Sequence, residues 1–236
     1  MKPRFYFNVK QHIFDPENRF NYQTNQEWLD LRADRFTASN ASEFLSTGKD
    51  ADKLSKSIKT LINSRVMQKF TNWIDDSATS YSEKDAVTRG LVYEDEARNW
   101  YQSVTGNSVV ECGFVERGQY LGCSPDGLVC DKLKTVQIKI PMPGNFVNAI
   151  LTGWKDYVAQ CQFERFVCCF KSADLVIYSP ELQTGKIFTI ESDPETDRAI
   201  LSKMRSAVKY QDTAVAAIKE ILANNTNMCL DNILKK

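Results

Sequence analysis

The chain has 236 residues, and 30 lysines and arginines balance 30 aspartates and glutamates, so its formal net charge is zero. This balance excludes a uniformly basic nucleic-acid coat protein and a strongly acidic tail protein. The hydrophobic fraction of 42% and the charged fraction of 25% are typical of a globular protein and exclude fibrous and disordered classes.

The length predicts one domain over residues 1–236. A chain of this size buries roughly 70% of the surface that its unfolded form exposes, so it needs no disulfides for stability. No apolar run reaches the roughly 18 residues that span a bilayer, and the N-terminus lacks an apolar signal-peptide core. We therefore expect a cytoplasmic protein without a membrane partner.

Cysteine and histidine give no metal-binding pattern. The seven cysteines contain no C-x-x-C pair, and His12 is the only histidine. Zinc fingers, zinc ribbons and Cys-ligated clusters need such spacing, so the cysteines are predicted to be small buried hydrophobic residues. Any chemistry is therefore expected to use carboxylates, lysine or metal-bound water.

The first half of the chain carries mainly helical signals, after 23 residues that are predicted to be irregular. Thr24 and Asn25 precede a short helix that ends near Arg32, and Thr37-Ala38-Ser39 caps a second short helix. Longer helices are predicted over residues 50–73 and 83–104, separated by a polar loop at 75–82, and the second ends at Gly106.

The second long helix carries a carboxylate on an otherwise uncharged face. Gly90, Glu94, Ala97 and Tyr101 are three or four residues apart and share that face. A carboxylate that faces inward costs free energy unless a cation meets it. Two interpretations stay open: Glu94 faces inward toward a cation, or it pairs with Arg98 on the surface.

Beyond Gly106 the pattern becomes strand-like. Strands are predicted over residues 108–115, 119–123, 127–130 and 134–140, followed by helices around 144–151 and 154–170. A strand pair at 174–178 and 186–191 and a terminal helix at 193–223 complete the chain. This order predicts an α/β fold with a central sheet flanked by helices.

The residues that most clearly suggest a chemical function are Ser124-Pro125-Asp126-Gly127 and the strand that follows ten residues later. Apolar and polar residues alternate from Val136 to Ile140, so Gln137 and Lys139 share one strand face, which the Asp126 turn could approach. A carboxylate, a second oxygen ligand and a lysine can hold Mg²⁺ and activate water beside a phosphodiester. The pattern has the form of the degenerate PD-(D/E)-x-K nuclease motif. A turn aspartate beside an unrelated surface lysine is the alternative.

Five sequence blocks in a fixed order resemble the lambda-exonuclease family, also called YqaJ-like viral recombinases. They run across about residues 25–165 and are Trp28-Leu29-Asp30-Leu31-Arg32 with Thr37-Ala38-Ser39, Gly90-Leu91-Val92-Tyr93-Glu94 with Ala97-Arg98, Cys123-Ser124-Pro125-Asp126-Gly127, Gln137-Ile138-Lys139-Ile140-Pro141, and Tyr157-Val158-Ala159-Gln160-Cys161-Gln162. The resemblance implies a PD-(D/E)XK, restriction-endonuclease-like core with a central mixed β-sheet.

The resemblance also implies a function. It implies a Mg²⁺-dependent exonuclease, with Mn²⁺ as a substitute, that degrades one strand of double-stranded DNA from a 5′-phosphorylated end. The product is a 3′ single-strand overhang for a single-strand annealing protein in phage-type homologous recombination, within a bacterial or phage-infected cell. A ring-shaped homotrimer that encircles DNA is expected on the same basis.

By matching position, the resemblance implies Glu94, Asp126 and the backbone carbonyl of Ile138 as metal ligands and Lys139 as the catalytic lysine. The 5′-phosphate pocket would comprise Arg32, Ser39 and Ser124, whose guanidinium fork and hydroxyls suit a terminal phosphate. Further DNA contacts are expected at Lys49, Gln160 and Gln162, while packed amides and a solvated lysine remain alternatives.

Gln137 departs from the family pattern, which has an acidic residue two positions before the lysine. An amide oxygen can bind Mg²⁺ but brings no charge and accepts no proton, so Gln137 is expected to be a weakened ligand. Three explanations compete: a Glu→Gln change introduced to trap a DNA-bound state, natural variation with a displaced carboxylate such as Glu111, and a naturally inactive relative.

Two alternatives to the exonuclease therefore remain. The first is a DNA-end-binding protein of the same fold that has lost catalysis through Gln137. The second is an endonuclease of the same fold. A pocket for a terminal phosphate distinguishes the endonuclease from proteins that act at DNA ends, because an endonuclease does not need such a pocket.

Overall fold

The computed structural model describes residues 1–14, 22–33, 35–46, 54–71 and 81–234. The strands in these ranges are β1 (Pro3–Tyr6), β2 (His12–Phe14), β3 (Tyr22–Thr24), β4 (Phe36–Thr37), β5 (Phe114–Arg117), β6 (Leu121–Cys123), β7 (Gly127–Val129), β8 (Lys134–Lys139), β9 (Ser172–Ser179) and β10 (Thr184–Glu191). The helices are α1 (Gln26–Arg32), α2 (Ala41–Leu45), α3 (Lys56–Phe70), α4 (Tyr81–Thr105), α5 (Pro143–Thr152), α6 (Val158–Cys168) and α7 (Pro194–Leu234). No described helix combines the length and apolar character of a membrane span.

The chain divides into two compact units. The first comprises residues 1–45 and 77–200 and contains all the described strands. The second comprises residues 46–76 and 201–236, where α3 buries Ile58, Ile62 and Val66 at helical spacing and Lys59 lies over the Tyr210 ring. Lys49, expected to contact DNA, lies outside the described residues.

The strands of the first unit form two four-stranded sheets and a small hairpin of β2 and β3. One sheet has the order β1-β5-β6-β4, and the other has the order β10-β9-β8-β7. Each is mixed, because β4 runs parallel to β6 and β8 runs parallel to β9, while the other pairs are antiparallel. The predicted α/β fold with mixed sheets flanked by helices is confirmed, with its strands divided between two sheets.

Helix α6 contacts strands of both sheets, namely β5 and β6 of one and β8, β9 and β10 of the other. Its residues 161–168 are consequently all buried, including the charged side chains of Glu164 and Arg165. A helix that is enclosed on every side needs internal partners for its polar groups. Arg165 finds them in Gln162 and Asp197.

Strand β8 separates apolar from polar side chains as the alternation predicts. Val136, Ile138 and Ile140 pack with Ala97 and Tyr101 of α4 in one core cluster. Gln137 and Lys139 therefore lie on the opposite face of the strand. That face is covered rather than open, since Gln137 is only 3% exposed.

Several sequence expectations were wrong. The N-terminal residues are not irregular, because β1 pairs antiparallel with β5 and places Pro3 opposite Arg117. The predicted strand at 108–115 begins only at Phe114, and before it Val110 forms a single bridge to Leu128. Helix α4 begins within the predicted loop at 75–82, and Cys130 and Cys169 are exposed rather than buried.

A buried aspartate ties the second sheet to α4. Asp174 of β9 is 2% exposed and accepts hydrogen bonds from Tyr101 Oη at 2.7 Å and Thr189 Oγ1 at 2.7 Å. Lys134 Nζ pairs with both of its carboxylate oxygens at 2.9 Å. Removing the carboxylate would deprive Tyr101, Thr189 and Lys134 of this hydrogen-bond acceptor.

We expect Asp174→Ala to lower the free energy of unfolding by about 3 kcal/mol, because a partly buried lysine and two hydroxyls lose their shared acceptor. Urea denaturation of the purified chain measures this change. Asp131→Ala, in an exposed turn, is the matched control and should change stability by less than about 0.5 kcal/mol. A loss below about 1 kcal/mol for Asp174→Ala would contradict the structural role of the cluster.

Candidate active site

Asp126 lies in the turn between β6 and β7, and its carboxylate is bonded to strand β8. Its Oδ2 accepts a hydrogen bond from the Ile138 backbone N–H at 2.6 Å and another from the Gln137 side-chain amide. The antiparallel register, with Gly127 opposite Val136, brings the turn to this point of β8. Burial raises the pKa of Asp126, while Lys139 and the Ile138 N–H oppose the rise.

Glu94 reaches the same region from α4. Burial, followed by the charge of Asp126, raises the pKa of Glu94 to about 8, although Arg98 opposes the rise. Its side chain retains 30% of its exposure and pairs with Arg98. Glu94 is thus partly buried and pairs with Arg98, which is both the cation of the first interpretation and the partner of the second.

The Gln137 amide is held at both ends. Its NH₂ group donates to Asp126 Oδ2 and lies 3.5 Å from the Ile138 carbonyl oxygen. Its oxygen accepts from Gln160 Nε2 at 2.8 Å, and the same nitrogen donates to Glu164 Oε1 at 2.9 Å. The amide therefore donates toward two of the oxygens that the family resemblance assigns to a metal ion.

Lys139 ends β8 beside this network. Its Nζ lies 4.3 Å from the centre of the Tyr157 ring, a cation–π contact, and its charge lowers the pKa of Asp126. The Tyr157 ring thus orients the lysine.

Trp28 connects the three residues expected to bind a 5′-phosphate. Arg32 Nη2 donates to Ser39 Oγ at 3.1 Å, and its guanidinium lies 4.2 Å from the centre of the Trp28 ring. Trp28 Nε1 donates to Ser124 Oγ at 2.8 Å. We call these four residues the Arg32 cluster.

A cavity of about 280 Å³ is lined by acidic residues and by one member of the Arg32 cluster, Ser124. Ser124, Asp126 and Glu94 all line it. So does Glu111, the candidate for a displaced carboxylate, which is 67% exposed and lies 3.3 Å from Arg98. The Arg98 guanidinium also donates to the Asp126 carbonyl, so one arginine contacts three of these acidic residues.

Gln160 and Gln162, both expected to contact DNA, have different surroundings. Gln160 bonds to Gln137 within the site. Gln162 is 7% exposed and bonds to the Glu191 carbonyl and to Arg165, as the packed-amide alternative describes. Because the two residues are two positions apart on α6, they face different sides of the helix.

Sequence reasoning assigned no role to Trp28 or Glu164. Trp28 precedes Arg32 by four residues on α1, a spacing that could have predicted their contact. Glu164 follows Gln160 by four residues in the same way, but its position in a helix buried on every side was not evident from α6 alone. Glu164 Oε2 is buried and has no hydrogen-bond partner among the residues that the structure describes, and burial raises the pKa of the Glu164 carboxyl well above its ordinary value.

The residues present fit a hard divalent cation. Among the residues described, no group of three His, Cys, Asp or Glu side chains is arranged to hold a metal. Glu94 and Asp126 nevertheless raise the energy of each other's ionised form, and a cation between them would relieve that repulsion. Such a cation would depend on two carboxylates, the Ile138 carbonyl and water, an oxygen-only set that suits Mg²⁺ or Mn²⁺.

The fold is similar to that of solved exonucleases. An alkaline exonuclease, LHK-Exo from Laribacter hongkongensis, is 24% identical with a TM-score of 0.70, over 85% of this chain and 99% of that chain. The same enzyme in complex with dAMP gives a TM-score of 0.71 at the same identity and coverage. A phage-related exonuclease from Haemophilus somnus 129PT is 14% identical with a TM-score of 0.66, over 78% of this chain and 96% of that chain.

At these identities the likeness shows a shared fold of mixed sheets flanked by helices. No curated protein matches the chain. The family model of the YqaJ-like viral recombinase domain matches residues 27–168, which is more than half of the chain. The matched range includes the Arg32 cluster and the site around Asp126 and β8. The chain therefore belongs to the YqaJ-like viral recombinase family, the lambda-exonuclease type of recombination nuclease.

Proposed function

We propose that the chain is a divalent-cation-dependent exonuclease that degrades one strand of duplex DNA from a 5′-phosphorylated end and leaves a 3′ overhang. One observation carries this proposal. Asp126 and Glu94 line the same cavity as Ser124, through which the Arg32 cluster meets the acidic site. The expected cutting group and the expected end-binding group are therefore neighbours.

In this proposal Glu94, Asp126 and the Ile138 carbonyl hold Mg²⁺ or Mn²⁺. The bound cation supplies positive charge at the phosphate and makes water more acidic. Lys139, held over Tyr157, offsets negative charge that develops on the phosphate and orients the attacking water. The Ile138 N–H keeps the Asp126 carboxylate in place.

The Arg32 cluster supports an exonuclease over an endonuclease. Arg32 is oriented by stacking on Trp28 and by Ser39, and its planar fork suits the oxygens of a terminal phosphate. Ser124 adds a hydroxyl beside the cavity. An endonuclease cuts within a strand and has no use for such a set of donors.

The wider assembly is part of the same proposal. A homotrimeric ring of single-domain chains would retain the DNA by encircling it, and a single-strand annealing protein would receive the 3′ overhang. These events would occur in the cytoplasm of a bacterial or phage-infected cell, during phage-type recombination.

The second candidate function is a DNA-end-binding protein without nuclease activity. It is favoured by the Gln137 amide, which donates to Asp126 and so occupies an oxygen needed for the cation. The Arg32 cluster does not depend on that amide and would still bind an end. One substitution at position 137 separates the two candidates.

We expect Gln137→Glu to increase nucleotide release from linear duplexes by about 100-fold in Mg²⁺, because it supplies a third carboxylate at the cation site. The assay compares 5′-phosphate with 5′-hydroxyl ends and uses EDTA to remove the cation. Gln119→Glu, in an exposed turn, makes the same chemical change elsewhere and should leave the rate unchanged. If the Gln137→Glu chain releases no nucleotides from phosphorylated ends, the exonuclease proposal is wrong. Equal digestion by both chains would instead refute the view that Gln137 limits the site.

A second prediction concerns end recognition. Arg32→Ala should lower the preference for 5′-phosphate over 5′-hydroxyl ends by about tenfold, since the guanidinium fork is lost. Cation affinity, measured by calorimetry, should stay within about twofold. Arg198→Ala, at an exposed position on α7, is the matched control. An unchanged end preference would refute the pocket.

A third prediction follows from the pKa of Glu94, which is about 8 in the folded chain against an ordinary value of 4.5. The folded state then binds the proton more tightly than the unfolded state, so stability falls as pH rises from 4.5 to 8. We expect Glu94→Gln to remove about 2 kcal/mol of this fall in EDTA, less than the ideal value because the carboxylate is partly exposed. Urea denaturation at several pH values measures it, and parallel pH profiles for both chains would contradict the assignment.

A further inference from the structure

One wall of the acidic cavity comes from the N-terminus of the chain. Residues Phe7, Val9, Lys10, Gln11 and His12 line the cavity together with Glu94 and Asp126. We call residues 7–12 the N-terminal wall. It precedes residue 27, where the match to the family begins, so the family resemblance assigns nothing to it.

The N-terminal wall is held against the site by specific contacts. A Cβ on Gly113 would lie 1.5 Å from the Val9 carbonyl oxygen, so only glycine permits this approach. The Gly113 N–H donates to the Tyr6 carbonyl at 3.1 Å, and the Asn25 N–H donates to the Gln11 carbonyl at 3.0 Å. Val9 itself is buried in a cluster with Trp28, a member of the Arg32 cluster.

Lys10 differs in its surroundings from the other strong cation of the cavity. Arg98 is engaged by Glu94, Asp95 and Glu111. Lys10 is exposed and has no hydrogen bond or ion pair with any residue that the structure describes. Burial lowers the pKa of His12, so the neighbouring imidazole adds no charge at neutral pH.

We propose that Lys10 binds a backbone phosphate of the DNA strand that enters the cavity. A cation on the wall of a cavity that pairs with no described residue is available to a phosphate. Because Lys10 lines the same cavity as Glu94 and Asp126, a phosphate bound there would lie near the proposed cutting site. The inference rests on the proposed function, because it names a DNA contact of the same site.

The test measures DNA binding in EDTA, where a metal nuclease does not cut. A fluorescent 5′-phosphorylated duplex is titrated from about 50 to 200 mM NaCl, a range in which phosphate contacts determine the salt dependence. We expect Lys10→Met to weaken binding about fivefold at low salt and to reduce the slope of log affinity against log salt by about 1. Lys10→Arg, which keeps the charge, should restore both values.

Lys2→Met is the matched control, because Lys2 is exposed on the same N-terminal segment but does not line the cavity. An unchanged slope for Lys10→Met, or an equal loss for Lys2→Met, would overturn the inference, as would failure of the parent chain to bind DNA. If Gln137→Glu fails to digest DNA while binding still depends on Lys10, the nuclease proposal fails and the inference stands.

Discussion

The hydrogen bond from the Ile138 N–H to Asp126 Oδ2 fixes the geometry of the site. It joins the turn before β7 to the middle of β8 at a distance of 2.6 Å. The bond depends on register, because β7 and β8 pair with Gly127 opposite Val136. A slip of one residue would move Gln137 and Lys139 to the face that packs on α4 and would separate Asp126 from its backbone donor. Glu94, Arg98 and the cavity are all arranged around this fixed carboxylate.

The sequence predicted those features that depend on local pattern. Alternation in β8 indicated that Gln137 and Lys139 share a face, and the core cluster of Val136, Ile138 and Ile140 agrees. Helix α1 follows Asn25, whose side chain caps it as the sequence suggested. Features that depend on distant partners were not predicted. Strand β1 was missed because its partner β5 lies more than 100 residues away and its own residues carry no clear period.

For the candidate site, the sequence could suggest members but not the contacts between them. The resemblance suggested Glu94, Asp126 and Lys139, but nothing in the sequence indicated which charged groups contact each of them. The structure adds Arg98 between the acidic groups, which explains why a carboxylate can remain on the inner face of α4. It also adds Trp28 as the link between Arg32 and Ser124, since a contact across 96 residues leaves no local signal.

The zero net charge is the sum of charges that lie in different places. Glu94, Asp95, Glu111 and Asp126 gather at one cavity. The positive charges include Arg98, which pairs with the acidic groups, and Arg32, which stacks on Trp28. A sum over the chain cannot reveal this segregation. It therefore does not weigh against binding to DNA, because only the local balance of charge determines where a phosphate can approach.

Gln137 is the residue on which the proposed chemistry depends, and its surroundings accommodate either an amide or a carboxylate. The oxygen that accepts from Gln160 would exist in both residues. The two residues differ only at the other end of the side chain, where the amide donates a hydrogen bond to Asp126 and a carboxylate would repel it. With glutamine, Asp126 Oδ2 has two hydrogen-bond donors in the absence of a cation. With glutamate two acceptors would face each other, and only a proton or a metal ion could join them. A single N–H donor at position 137 thus occupies the Asp126 oxygen that a cation would bind under the proposed function.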